Sequence, residues 1–297
     1  MQTHPIRVLL ATALLSASVG ALAKEGGDQS ANGPESFLAG ALPPPGTYLL
    51  NYLGHYGGKL KDANGDTVSM AGKDIKVSAT FDVLRLVRVT DVKLFGADYA
   101  FQAILPVVHQ NVDVFGNRAS RSGIGDLTLS PVVLGWHLSK NLHVIGALDV
   151  FLPTGARDKT HPGRQIGANY TSVEPVLAVT YLADNGFEAS AKLMYNIKGK
   201  NSDTDYRSGQ EFHMDYLLGY RSGEWAYGLS GYYLKQTTDD RLNGRTIGNR
   251  GQVLAVGPAL QYSSKSGDQF IVKWDHETQV KNRFAGDKVW FKYVHRF

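Results

Sequence analysis

Three features are scarce in this sequence, and each scarcity excludes a class of protein. The chain has no cysteine among its 297 residues, so neither a disulfide nor an N-terminal lipid attachment is available. After residue 23, no apolar run approaches the roughly 18 residues that a membrane-spanning helix needs. The formal net charge is only +4 and no block of lysine and arginine occurs, which argues against a nucleic-acid partner.

Catalytic and cofactor motifs are also scarce. The chain contains no Gly-x-Ser-x-Gly turn, no phosphate-binding Gly-Lys-Ser/Thr run and no dinucleotide fingerprint, so we expect no cofactor. The nine histidines are scattered. The segment 62–66 imitates a calcium loop, but Thr67 and Lys73 stand where such a loop needs Gly and Glu. We therefore expect no metal site and interpret 62–66 as an Asn-Gly turn.

The first 23 residues have the layout of a targeting segment. They combine a weakly basic start, an apolar run over residues 8–15, and Ala21-Leu22-Ala23 before Lys24. This layout is typical of a secretory signal peptide with a small-x-small cleavage site. We expect residues 1–23 to be removed, residues 24–45 to form a flexible, proline-rich lead-in, and residues 46–297 to form one domain.

Glycine, tyrosine and strand-like periodicity are abundant. The chain has 33 glycines and 15 tyrosines, a composition that suits a curved sheet with aromatic girdles. Residues 187–198 and 211–221 alternate between apolar and polar with a period of two, as strands do. The predicted strands are 46–56, 75–89, 97–107, 126–138, 141–152, 170–182, 186–198, 210–220, 224–235, 252–263, 269–277 and 287–297.

Alternation alone leaves two architectures open, a soluble sandwich with its charges in water or a membrane barrel with its charges in the lumen. The connections favour the barrel. Long connections such as 57–74 and 108–125 alternate with short ones such as 183–185 and 221–223. Outer-membrane barrels sort their connections in this way, with long outer loops and short periplasmic turns. We predict an all-β fold, a single transmembrane antiparallel β-barrel of about twelve strands in the bacterial outer membrane.

The end of the chain supports the same prediction. Phe297 is the last residue, and Tyr293 and Phe291 occupy alternate positions before it. This pattern resembles the C-terminal recognition signal of outer-membrane barrels. We therefore expect Phe291, Tyr293 and Phe297 to be recognised by the barrel-assembly machinery. His295 departs from the pattern, because an apolar residue is more common there.

Several motifs connect the chain with a known family. They are FLAGALPPPGTYLLNYLGHYGG at 37–58, DVFLPTG at 149–155, IGANY at 166–170 followed by Glu174-Pro175, DYRSGQEF at 205–212 and YYLKQTTDD at 232–240. With them the chain resembles the putative outer-membrane proteins of the phenol meta-cleavage pathway, a family that includes sphingosine-induced outer-membrane proteins. The resemblance implies an outer-membrane barrel that takes up or binds small hydrophobic compounds, aromatic or lipid-like. It supplies no catalytic residues.

The lumen is the expected working surface of such a barrel. Alternation places charged residues of both signs there, so strong selectivity for one ion charge is not expected. A twelve-stranded barrel is narrow, and these side chains would fill much of it, which favours a restricted channel over an open porin. The lumen-lining candidates are Asp149, Glu174, Glu188, Lys192, Glu211, His213, Asp215, Lys273, Asp275 and Lys292.

Several alternatives stay open. His213 and Asp215 share one face of a strand and could serve an outer-membrane hydrolase as an acid–base pair, and a nonselective porin or a structural barrel is a further possibility. The lead-in, stiffened by its three prolines, is compatible with a plain linker and with a lumen plug. The basic loop 149–169 could fold inward or bind the phosphates of lipopolysaccharide, which together with other membrane lipids is an expected partner.

Overall fold

The structure is a computed structural model that describes residues 28–157 and 165–297, so the predicted signal peptide lies outside the described residues. Within these ranges no helix has the length and apolar character needed to cross a membrane. The described residues form seventeen strands: β1 Gly46–Leu60, β2 Ser69–Met70, β3 Lys73–Leu94, β4 Ala97–Val114, β5 Asn117–Ile124, β6 Leu127–His137, β7 Leu142–Leu152, β8 Ser172–Leu182, β9 Phe187–Lys198, β10 Tyr206–Arg207, β11 Glu211–Ser222, β12 Trp225–Gln236, β13 Asp240–Leu242, β14 Arg245–Gly248, β15 Gln252–Ser263, β16 Gln269–Lys281 and β17 Phe284–Arg296.

Twelve of these strands close into one antiparallel barrel. Their order is β3-β1-β17-β16-β15-β12-β11-β9-β8-β7-β6-β4, and the pairing of β3 with β4 completes the circle. The seam between the first and last strands of the chain runs over thirteen residue pairs, from Tyr48 opposite Arg296 to Leu60 opposite Phe284. The prediction of an all-β, twelve-stranded antiparallel barrel is therefore confirmed.

The two faces of the wall follow from the alternation in the sequence. On β11, the side chains of Glu211, His213 and Asp215 point inward and are buried, whereas Leu218 is 56% exposed on the outer face. The other large exposed residues on the barrel strands are also mostly leucine, valine and aromatic residues. A wall that buries charge and exposes apolar side chains suits a hydrocarbon surrounding and not water.

Some predicted connections are largely strand: β16 and β17 extend into 278–286, and β3 extends into 90–96. The segment 108–125, expected as a long loop, mostly continues β4 and returns as β5, which pairs with β4 from Val114 opposite Asn117 to Val107 opposite Ile124. The turn between them is tight because Phe115 and Gly116 both adopt positive φ, at 53° and 94°. The alternation of Val108, Val112 and their polar neighbours was a strand signal, and the hairpin extends the wall beyond the barrel.

The loop sorting defines the two ends. The short turns that join β3 to β4, β6 to β7, β8 to β9, β11 to β12 and β15 to β16 lie at one end, which we call the periplasmic end. The β4–β5 hairpin and the three-stranded sheet of β10, β13 and β14 lie at the other, extracellular end. Two apolar clusters fill the inner side near the periplasmic end, one around Leu42 and one around Phe37.

Candidate functional site

The lumen is occupied by the residues that precede the first strand. Residues 28–45, here called the plug segment, run along the inside of the barrel from the extracellular to the periplasmic end. At the extracellular end the Asp28 carboxylate forms an ion pair with Arg283. At the periplasmic end the Pro45 carbonyl accepts a hydrogen bond from Arg296 at 2.9 Å. Of the two open interpretations of the lead-in, the contacts match the plug.

Glu35 is the centre of the plug segment's polar contacts. Its carboxylate lies 2.6 Å from the guanidinium of Arg85 on β3 and 2.6 Å from the ammonium of Lys292 on β17. The Tyr52 hydroxyl donates a further hydrogen bond to it at 2.9 Å. Arg85 continues the network by donating to Gln102 at 2.8 Å. A carboxylate between two cations in a narrow lumen holds the segment at a defined height.

The opposite wall holds the same part of the plug segment through its backbone. The Asp215 carboxylate on β11 accepts hydrogen bonds from the amides of Gly33 at 2.8 Å and Glu35 at 3.0 Å. The Lys273 ammonium lies 3.4 Å from the Glu35 carbonyl oxygen and 3.4 Å from the Asp275 carboxylate. Gly33 has a φ of 79° and leaves no room for a side chain, because a Cβ there would lie 2.5 Å from the Tyr232 ring.

The extracellular half of the lumen carries a second set of buried polar groups. The imidazole Nε2 of His213 lies 2.8 Å from the Glu174 carboxylate, and Asn196 donates to the same oxygen at 2.8 Å. Ser30 of the plug segment donates to the other oxygen of Glu174 at 3.2 Å. Lys198 and Glu211 form an adjacent ion pair. These groups bind the segment and one another.

Asp126 fixes the loop that follows β7. Its carboxylate accepts from the amides of Gly155 at 2.8 Å and Ala168 at 2.9 Å, and from the Gln29 side chain at 2.7 Å. The described ends of the loop 149–169 therefore turn toward the plug segment. Residues 158–164, which contain two of the cations expected to bind lipopolysaccharide, lie outside the described residues. Binding of lipopolysaccharide stays a prediction.

The periplasmic half of the lumen is apolar. Phe37 lies among Leu217, Ala226, Ala259 and Ile271, and Leu42 lies among Tyr48, Val87, Val89, Ala100 and Val133. Between them, the Gly40 amide donates to Thr180 Oγ1 at 2.8 Å. A Cβ at Gly40 would lie 2.5 Å from the Val179 carbonyl carbon, so only glycine lets the segment lie this close to β8.

The predicted lumen-lining residues all lie on the inner face, where nine are buried and Lys192 is half-buried. The structure brings three of them, Asp215, Lys273 and Lys292, into contact with the plug segment around Glu35. Glu188 contacts the segment nearer the periplasmic end, where it accepts from the Leu38 amide at 2.6 Å. Their part in a transport or binding function stays a prediction.

Glu35, Arg85 and Tyr52 were missed by sequence reasoning. Glu35 precedes every strand, so the alternation of the strands could not place it. Arg85 does lie on a strand, and its inward position between Val83 and Val87 was the available signal. A lone cation among apolar inward residues needs an anion, and the lead-in supplies one.

An open cavity of about 980 Å³ lies at the extracellular end, between the ends of β1, β3, β4, β5, β16 and β17. Glycines form part of its wall, including Gly57, Gly58 and Gly286. Charged residues of both signs also line it, among them Lys76 and Asp113. The neighbouring loop 62–66 folds as the predicted turn, with Asp62 Oδ1 accepting from three successive amides at 2.9 Å. Those backbone hydrogen bonds, led by the one from Asp66, lower the pKa of Asp62.

The residues of the predicted assembly signal form an aromatic belt on the outer face near the periplasmic end. The rings of Phe270 and Tyr293 have centroids 5.1 Å apart. Phe291 is exposed on the same face, and Phe297 extends beyond it. His295, the exception in the motif, has a partner, because its Nδ1 lies 2.6 Å from the Asp268 carboxylate in the last periplasmic turn. Recognition by the assembly machinery stays a prediction.

The groups expected of the alternative hydrolase are not paired with each other. His213 contacts Glu174, while Asp215 binds the backbone of the plug segment. Among residues 28–157 and 165–297, no group of three histidine, aspartate or glutamate side chains could hold a metal ion. The polar groups of the lumen act chemically as a binding surface for the segment that crosses it.

Several solved structures of other proteins share this architecture. An outer membrane channel from Pseudomonas putida F1 superposes with a TM-score of 0.77 at 18% identity, covering 87% of this chain and 98% of that one. The translocator domain of the autotransporter NalP from Neisseria meningitidis gives 0.52 at 11% identity, covering 87% and 91%. The transport unit of AIDA-I from Escherichia coli gives 0.53 at 7%, covering 88% and 95%. At these identities the likeness concerns the fold, which is that of an outer-membrane barrel.

The sequence comparison is more specific. No curated protein matches the sequence. The model of a family described as the putative MetA-pathway of phenol degradation matches residues 57–293, which is most of the chain. The resemblance seen in the sequence motifs is thereby confirmed, and the channel-like barrel is located in the bacterial outer membrane. The chain belongs to the putative MetA-pathway family of phenol degradation.

Proposed function

We propose that this barrel takes up or binds small hydrophobic compounds, aromatic or lipid-like, at the outer membrane. The observation that carries the proposal is the plug segment, which crosses the lumen and is held by charged groups at mid-height and by apolar sockets below. A lumen filled in this way is unsuited to bulk flow of water and ions. Its apolar lower half is suited to a hydrophobic molecule. The family description points to the same class of compound.

The test compares hydrophobe accumulation with ion conductance. Cells that lack the protein should accumulate a labelled alkylbenzene more slowly than cells that express it, and purified protein in a planar bilayer should conduct little. The matched control is uptake of a small hydrophilic sugar, which should be the same in both strains. Large, nonselective conductance, together with equal alkylbenzene uptake in the two strains, would refute the proposal and indicate a porin.

A further inference from the structure

The socket that holds Phe37 is shaped for a flat ring. Phe37 is only 6% exposed, and small inward residues, Ala226 and Ala259, make space for it between Leu217 and Ile271. These four wall residues come from four different strands. The wall therefore fits a side chain of the size of phenylalanine, and the plug segment, not a strand, supplies it.

Gly219 forms the floor of the socket. It lies between Leu217 and Arg221 on the inner face of β11, and a Cβ there would lie 3.2 Å from the edge of the Phe37 ring and 2.9 Å from the carbonyl oxygen of Tyr227. Any side chain at this position would push against the ring. The absence of a side chain at Gly219 leaves space for the edge of the Phe37 ring.

A cation closes the socket. The Arg221 guanidinium lies 5.6 Å from the centroid of the Phe37 ring, within the range of a cation–π interaction. The Glu188 carboxylate fixes this guanidinium from below, at 2.6 Å from Nη2 and 2.7 Å from Nε. Because Arg221 is held by the wall, it stays in place when the plug segment moves.

The neighbouring socket lacks this feature. Leu42 lies against Tyr48, Val87, Val89 and Val133, and a Cβ at Gly135 would lie 2.5 Å from the Leu42 Cβ. The cation that lies over a ring of this socket is Arg296, whose guanidinium is 5.9 Å from the centroid of the Tyr48 ring. The two sockets therefore differ in chemistry: one accepts an aliphatic side chain, and the other accepts an aromatic ring under a fixed cation.

We propose that the Phe37 socket, lined by Leu217, Gly219, Arg221, Ala226, Ala259 and Ile271, is a binding site for one aromatic ring of a ligand. Phe37 occupies the site in the ligand-free protein, and an incoming ring displaces it. The inference rests on the proposed function, which it extends by naming the site and the ligand class. The exchange of one ring for another leaves the contacts of the socket nearly unchanged, so its cost is small. Leu38, directly after Phe37, has a φ of 56°, a strained value for leucine that displacement would release.

The test uses benzyl alcohol, which has the ring of the phenylalanine side chain, and cyclohexylmethanol, its saturated counterpart. The detergent-folded variant Phe37→Ala has an empty socket under Arg221. Benzyl alcohol should raise its heat-denaturation midpoint, read from the gel-mobility shift of folded barrels, at about a tenfold lower concentration than cyclohexylmethanol does. The matched variant Leu42→Ala opens a cavity in the other socket, where the cation Arg296 already lies over the Tyr48 ring, and it should respond to the two alcohols alike.

A second measurement leaves the socket intact. 4-Fluorophenylalanine placed at position 37 reports its surroundings by ¹⁹F NMR. Benzyl alcohol should shift its resonance toward that of an exposed ring, and cyclohexylmethanol should do so about tenfold less readily. Equal effects of the two alcohols in both measurements, or no effect of either, would overturn the site. If that happens while the alkylbenzene uptake defect persists, the proposed function stands without this site. Ring binding with no uptake defect would refute the function and leave the site.

Discussion

The two halves of the plug segment are held by opposite kinds of contact. From Asp28 to Glu35, the segment binds the wall through ion pairs and hydrogen bonds, most of all at the Arg85–Glu35–Lys292 cluster. From Ser36 to Leu42, the side-chain contacts are those of two apolar residues in sockets, alongside backbone hydrogen bonds to Glu188 and Thr180. A charged contact has one fitting partner, because an unpaired buried charge is costly. An apolar contact can be replaced by any molecule of similar shape, so the upper half sets the position and the lower half can be exchanged.

The variant Glu35→Gln tests most strongly whether the charged half of the segment sets its position. It leaves Arg85 and Lys292 facing each other without the carboxylate between them. Removal of one partner from a buried ion-pair cluster costs about 3–5 kcal/mol, so the plug segment should detach and bilayer conductance should increase. The matched control is Glu224→Gln in an exposed periplasmic turn, which should conduct like the original protein. Unchanged conductance in Glu35→Gln would mean that the apolar half alone holds the segment.

The variant Gly40→Ala tests the lower half without touching a charge. The added methyl group would lie 2.5 Å from the backbone of β8, so the segment must move away from the wall and lengthen the Gly40–Thr180 hydrogen bond. Overpacking of this kind typically costs about 1–3 kcal/mol, less than the loss of Glu35. We expect Gly40→Ala to have a lower heat-denaturation midpoint than the original protein. The control Gly57→Ala makes the same chemical change where nothing lies within 4 Å, and an equal loss in both variants would contradict the contact.

We expect the smallest effect on stability at Asp268, a carboxylate that pairs with His295 in an exposed turn. The hydrogen bond from His295 lowers the pKa of Asp268 below its ordinary value of 3.8. The folded state therefore favours the carboxylate, and this stabilisation is present above pH 3.8 and is lost as the pH falls through the lowered pKa. Asp268→Asn should reduce stability only slightly at neutral pH, because solvent screens the pair. Denaturation midpoints measured from pH 7 to pH 2 check it, and a loss as large as that of Glu35→Gln would contradict the distinction between buried and exposed pairs.

The barrel could be predicted from the sequence because its strands are local patterns. Residues 187–198 and 211–221 show in their own alternation which side chains share a face, and the alternation of long and short connections favours a membrane barrel over a sandwich. The hairpin after Val107 was misread because its polar residues looked like a loop. The plug contacts had no local pattern at all. Glu35 meets Lys292 across 257 positions of sequence, and only the closed barrel brings them together.

The plug segment also constrains the order of assembly. It precedes β1, and β1 closes the barrel by pairing with β17 over thirteen residue pairs. Once that seam is closed, a segment that carries the Phe37 and Leu42 side chains would have to pass through a narrow lumen filled with other side chains. Assembly is simpler if the segment already lies in the half-formed sheet when the last strand docks, so that the barrel closes around it. The N-terminal residues then act as a core around which the barrel wall assembles.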